Sequence, residues 1–149
     1  MEQKKLILSW EDMLILTDNM AFFLSDKNIT DIVTLARGGY IVSRIIAQKI
    51  NIRRIYSIGI EFYNNENSAN IPQIYQTLTQ KFNDNRHIAI IDDIIDSGKS
   101  IEIAEREVAN NGGKRIITCA MHYKPHSKYK PNYYAQKVDN DVWVDYCWE

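Results

Sequence analysis

The chain has 149 residues, 45% apolar and 25% charged, with 18 basic against 19 acidic side chains and a formal net charge of −1. This length suits one domain with a sizeable core, and the near-zero charge excludes the basic footprint that non-specific nucleic-acid binding needs. Cys119 and Cys147 lack CxxC spacing and read as reduced thiols. No apolar run is long enough to span a membrane, and the stretch after Lys4-Lys5 is too short for a signal peptide, so a cytoplasmic protein without membrane attachment is expected.

Ser9 followed by Asp12 has the pattern of a helix start, and Met13, Leu16, Met20, Phe23 and Leu24 recur at helical spacing, which predicts a helix over Trp10 to Leu24. Ile32 to Ala36 reads as a buried strand broken at Gly38-Gly39. A second helix follows, with Ile41, Val42, Ile45, Ile46 and Lys49 on one side. Arg54 to Tyr63 alternates like a strand, Asn64 to Asn70 reads as a polar loop, and Gln73 to Thr79 as a returning strand. His87 to Asp92 is then a strand, Ser100 to Asn110 a helix stopped by Gly112-Gly113, and Arg115 to Tyr123 another strand. The alternation predicts an α/β domain with a mainly parallel sheet flanked by helices. The tail from Lys124, rich in Tyr, Lys and Trp, reads as a small appended hood that shares N-terminal residues, on a core of about residues 25–123.

The most informative stretch is Ile88-Ala89-Ile90-Ile91-Asp92-Asp93-Ile94-Ile95-Asp96-Ser97-Gly98-Lys99-Ser100. An apolar run ends in paired carboxylates, a third carboxylate follows, and a Ser-Gly turn opens a helix. Carboxylates hold sugar hydroxyls and a hard cation, and the amides of such a turn hold a phosphate. Solvated loop acids beside a helix cap are the bland alternative. Gly98-Lys99-Ser100 also resembles the end of a P-loop, but that motif needs Gly at position 93, where Asp93 would repel phosphates.

This stretch resembles the phosphoribosyl-pyrophosphate (PRPP) signature of the type I phosphoribosyltransferases. The resemblance implies that fold, with Asp92 and Asp93 holding the ribose hydroxyls, partly through Mg²⁺ at Asp93. It gives Asp96 a place beside the base nitrogen, and makes Asp96, Ser97, Gly98, Lys99 and Ser100 the 5-phosphate loop. PRPP also carries a pyrophosphate, which requires a second anion cradle. Arg37-Gly38-Gly39 supplies the candidate at another strand-to-helix junction, with a guanidinium fork and glycines that admit close approach. The family's pyrophosphate loop has the same Arg-Gly-Gly core. The Glu61-Phe62-Tyr63 region matches the family's closing loop, with Tyr63 as a candidate participant.

The tail points to the acceptor. A Lys ammonium donates to an exocyclic oxygen, and a Trp face stacks on a purine. Tyr123-Lys124-Pro125, the closing Trp143-Val144-Asp145-Tyr146-Cys147-Trp148-Glu149 and the opening Leu8-Ser9-Trp10-Glu11-Asp12 resemble the 6-oxopurine branch, especially the short xanthine-guanine phosphoribosyltransferases. That likeness implies Lys124 at the purine O6, Trp143 as stacking face and Val144 as a main-chain contact. It implies Asp96 as general base, and a homodimer or homotetramer that transfers phosphoribose from PRPP to guanine, xanthine or hypoxanthine. Cys147, where the branch usually has Pro, departs from the pattern. The alternatives are a PRPP- or nucleotide-sensing regulator on the same fold and a transferase for another base.

Overall fold

A computed structural model describes residues 2–65 and 68–149. In chain order the elements are β1 (Lys4–Ile7), α1 (Trp10–Leu24), β2 (Asp31–Ala36), α2 (Gly39–Lys49), β3 (Ile55–Asn65) and β4 (Ser68–Gln76). They continue with β5 (His87–Ile95), α3 (Lys99–Asn110), β6 (Arg115–Tyr123), β7 (Tyr133–Lys137) and β8 (Val142–Asp145). A six-stranded sheet has the order β4-β3-β2-β5-β6-β7, and β1 and β8 form a separate two-stranded sheet. Every pairing in the larger sheet is parallel except β3 with β4, so the expected mainly parallel α/β architecture is present.

The capping box forms as the sequence predicts: Asp12 N donates to Ser9 Oγ at 3.0 Å and Ser9 N donates to Asp12 Oδ2 at 3.1 Å. Alternation along β5 divides its apolar run between two cores. Ala89 and Ile91 pack with Val42 and Ile46 of α2 and Met13 and Met20 of α1. Ile88 and Ile90 pack with Ile101, Ala104 and Val108 of α3. A strand with both faces covered has to be apolar throughout, which is why this run does not alternate with polar residues.

Three readings need correction. The polar stretch from Asn64 is not wholly a loop, because β3 runs to Asn65 and β4 starts at Ser68; only Glu66 and Asn67 of it lie outside the described residues. β5 extends to Ile95, past the expected end at Asp92, so Asp93 sits on the strand rather than after it. The tail is not wholly an appendage, since Tyr133–Lys137 continues the main sheet as β7, with Cys119 opposite Tyr133 and Tyr123 opposite Lys137. Its last strand does stand apart, pairing Lys5 with Trp143 and Ile7 with Asp145.

Candidate active site

The order of the strands places the site. β2 and β5 are adjacent in the middle of the sheet. The chain leaves β2 through α2 toward β3 on one side, and leaves β5 through α3 toward β6 on the other. The two helices cover opposite faces. Between such diverging crossovers the sheet opens a crevice at the carboxyl ends of its strands, where ligands of open α/β sheets bind. Arg37-Gly38-Gly39 follows β2 there, and the acidic run ends β5.

Asp92 is buried and Asp93 is half-buried. Asp93 N donates to Asp92 Oδ1 at 2.8 Å, and Ile94 N donates to Asp93 Oδ1 at 2.7 Å. Burial first, and then the neighbouring charge of Asp93, push the Asp92 carboxyl well above the usual carboxylate range. Burial also raises Asp93, and the Glu149 charge adds to it. Among the described residues neither carboxylate has a Lys, Arg or His ion-pair partner. Two crowded oxygen donors without a counter-charge suit a hard cation. Mg²⁺ is commonly held by one or two carboxylates, with water and substrate phosphate oxygens completing its shell. No group of three His, Cys, Asp or Glu residues able to hold a metal occurs among the described residues. Asp92 and Asp93 therefore fit a cation that arrives with a substrate, not a cage made of protein alone.

The glycine turn lies against this pair. Arg37 is exposed and the Ala36–Arg37 peptide is cis. A Cβ at Gly38 would collide with the Asp93 carboxylate, and one at Gly39 would lie 2.8 Å from the Ile91 carbonyl oxygen. The absent side chains are what allow the two motifs to touch.

After β5 the chain turns through Asp96, Ser97 and Gly98 into α3. Gly98 has φ +86°, and a Cβ there would come within 2.6 Å of Ser127 Oγ and of Tyr129 Cβ. Lys99 N donates to Ser97 Oγ at 3.3 Å, while the N-cap Gly98 offers α3 no side-chain cap. Amides of a first helical turn lack intrahelical partners and are anion donors. They open on a cavity of about 110 Å³ lined by Asp92, Asp96, Ser97, Gly98, Ser100 and Phe62. Phe62 is the part of the Glu61-Phe62-Tyr63 region that lines the cavity; the Tyr63 hydroxyl instead donates to Glu61 Oε1 at 2.5 Å. A larger hollow of about 470 Å³, lined by Arg44, Gln48 and Arg53, lies at the opposite end of the strands.

Lys124 joins the acidic run directly. It is 7% exposed and donates from Nζ to Asp96 Oδ2 at 3.1 Å. Trp143 on β8 is 55% exposed, so it is not a core tryptophan, and Val144 beside it is buried. Neither makes a hydrogen bond to the acidic run. Two further groups were not singled out in the sequence. His126 Nε2 lies 2.5 Å from Asp96 Oδ1. The buried His122 ring bridges Gln136 Oε1 at 3.0 Å and the Tyr146 hydroxyl at 2.8 Å, and that hydroxyl reaches the Asp93 carbonyl oxygen at 3.2 Å. Burial holds His122 down at about 4, so the ring is neutral. The Pro125 turn after Lys124 was the one local signal for His126; nothing local marked His122, whose partners are distant in sequence.

Residues 4–149 match the family model for the phosphoribosyl transferase domain. The chain is 25% identical over 118 residues to the xanthine-guanine phosphoribosyltransferase of Cereibacter sphaeroides, covering 79% of this chain and 68% of that protein. It is 29% identical over 119 residues to the enzyme of the same name from Gluconobacter oxydans, covering 79% and 67%. The crystal structure of a purine phosphoribosyltransferase from Pyrococcus horikoshii superposes with a TM-score of 0.88 at 26% identity, covering 97% of this chain and 94% of that one. The Helicobacter pylori xanthine-guanine-hypoxanthine phosphoribosyltransferase has the same fold, with a TM-score of 0.86 at 22% identity and the same coverage. The likeness thus runs through nearly the whole chain, and this protein belongs to the phosphoribosyltransferase family.

Proposed function

We propose that this protein transfers the 5-phosphoribosyl group of PRPP to N9 of a 6-oxopurine, releasing pyrophosphate and a purine nucleoside 5-monophosphate. The observation that carries the reading is the Lys124–Asp96 pair at the rim of the phosphate-loop turn, a donor and an acceptor 3.1 Å apart. The O6 and N7–H of a 6-oxopurine offer the complementary acceptor and donor along one edge. Adenine would bring its 6-amino donor against the ammonium, so the pair disfavours it.

In this reading the amides and hydroxyls of Ser97 to Ser100 hold the 5-phosphate, and Asp92 and Asp93 hold the ribose hydroxyls. Arg37 and the Gly38-Gly39 amides face the pyrophosphate. When bound with PRPP, Mg²⁺ supplies counter-charge to the departing pyrophosphate. The C1–O bond breaks with its electron pair leaving on pyrophosphate, and the N9 lone pair forms the new bond to C1. The proton on N7 passes to Asp96, whose carboxylate acts as general base. Trp143 is the stacking face for the purine and Val144 a main-chain contact. Assembly as a homodimer or homotetramer in the cytoplasm belongs to the same reading.

The test is pyrophosphate release from PRPP and Mg²⁺ with guanine, xanthine, hypoxanthine, adenine, uracil or orotate. Release with the first three is expected. Release only with adenine or a pyrimidine overturns the role of Lys124, and no release with any base overturns the transferase. Asp96→Asn should lower kcat by roughly 10²–10⁴-fold with little change in PRPP affinity; near-normal turnover would remove Asp96 as the base.

A further inference from the structure

We propose that His126 is a positioning residue for Asp96, holding one carboxylate oxygen so that the other faces the purine. The inference rests on the transferase reading above and goes beyond it, since that reading gives His126 no role. The Asp96 side chain is 53% exposed and sits in a turn, so packing does not fix its rotamer. Its two oxygens are instead divided between two groups: Oδ2 accepts from Lys124 Nζ at 3.1 Å, and Oδ1 lies 2.5 Å from His126 Nε2.

Both groups come from one turn. Ser127 N donates to the Lys124 carbonyl at 3.0 Å, with Pro125 and His126 as the central residues. Proline at the first central position sets φ in advance. Lys124 N donates to the Ile95 carbonyl at 3.0 Å, and Lys128 N to the Ser97 carbonyl at 3.3 Å, so the turn is tied to the chain on both sides of Asp96. The His126 amide donates to Asn140 Oδ1 at 3.0 Å. The imidazole therefore stands on a backbone fixed at several points.

The division of labour changes when a base binds. Lys124 then shares its protons with the purine O6, and its hold on Asp96 loosens. His126 keeps Oδ1, leaving the Oδ2 lone pair directed at N7–H. Without it the half-exposed carboxylate turns among solvated rotamers, and only a fraction of bound complexes has the base in place. Loss of such alignment costs turnover more than binding. An exposed histidine–carboxylate pair contributes little to folding, so stability and turnover should respond differently.

The experiment compares His126→Ala and His126→Gln with wild type, in the Asp96 and the Asp96→Asn backgrounds. His126→Ala should lower kcat about ten- to a hundredfold, with KM for PRPP and the thermal midpoint nearly unchanged. His126→Gln keeps an N–H donor at similar reach and should recover most of the loss. In the Asp96→Asn background His126→Ala should cost nothing further, because the residue acts through the carboxylate. Wild-type kcat in His126→Ala, no recovery by Gln, or losses that multiply in the double variant would each overturn the inference while the transferase stands. A wild-type protein that releases no pyrophosphate with any purine overturns both.

Discussion

Buried carboxylates occur at both ends of the central strands, and they are treated differently. At the start of β2, Asp31 is 1% exposed. Thr30 Oγ1 donates to its Oδ1 at 2.6 Å, and Arg86 Nη1 lies 3.4 Å from the same oxygen. On β5, Asp92 and Asp93 crowd each other with no cation beside them among the described residues, and both carboxyls are raised. A buried charge that has its own partner belongs to the fold. A pair that lacks one costs the fold and marks a candidate binding position, the role proposed above for Asp92 and Asp93.

The largest effect expected is functional. Asp93→Asn should abolish most pyrophosphate release, by about 10²-fold or more, in an assay with saturating PRPP. Next, Arg86→Ala would leave Asp31 as an unpaired buried carboxylate and should cost about 3 kcal/mol in urea unfolding, with activity kept below the new melting range. Equal stability losses at the two ends would break the contrast.

The pH dependence carries opposite signs at two nearby groups. His122 is depressed from 6.5 to about 4 by burial. Its contribution is therefore complete above pH 6.5 and is lost as pH falls toward 4, because the unfolded chain takes the proton first; about 3 kcal/mol is at stake. A His122→Asn variant should show a flatter stability profile across that window by thermal melts. Asp92 and Asp93 are raised instead, so stability falls as pH rises through and above 3.8. Asp92→Asn should then raise the midpoint at pH 7 by about 2–4 °C while lowering activity.

The smallest expected effects separate adjacent glycines. The nearest atoms to a Cβ at Gly38 belong to the movable Asp93 carboxylate, whereas one at Gly39 meets Thr34 Oγ1 and the Ile91 backbone. Gly38→Ala should raise KM for PRPP with stability nearly intact. Gly39→Ala should lower the melting midpoint, because overpacking costs about 1–3 kcal/mol of stability.

Much of this was legible locally. The capping box, the apolar run of β5 and the glycines that end β2 are short-range patterns, and each appears where the sequence predicts it. The acidic run and the Arg-Gly-Gly turn also stand out in the sequence as candidate anion cradles, because their chemistry lies in contiguous residues. β1 was not read as a strand, since four residues with no alternation carry no signal until β8 pairs with them. β7 was hidden in the tail for a related reason: it is a short edge strand whose aromatic residues gain their meaning by stacking, Tyr133 on Phe23 and Tyr134 on Tyr123.

By itself, then, the sequence determined the helices and buried strands of the core and the chemical character of both turns, because those follow from residue spacing and backbone preference. The tertiary structure alone decided that β2 and β5 lie side by side, so that Gly38 touches Asp93 and two separate motifs become one site. It also decided that Lys124 and His126 meet the two oxygens of Asp96. The physical reason is range. Strand order and the placing of a turn against a carboxylate nearly thirty residues away depend on how two cores pack across a sheet, and no local window contains that information.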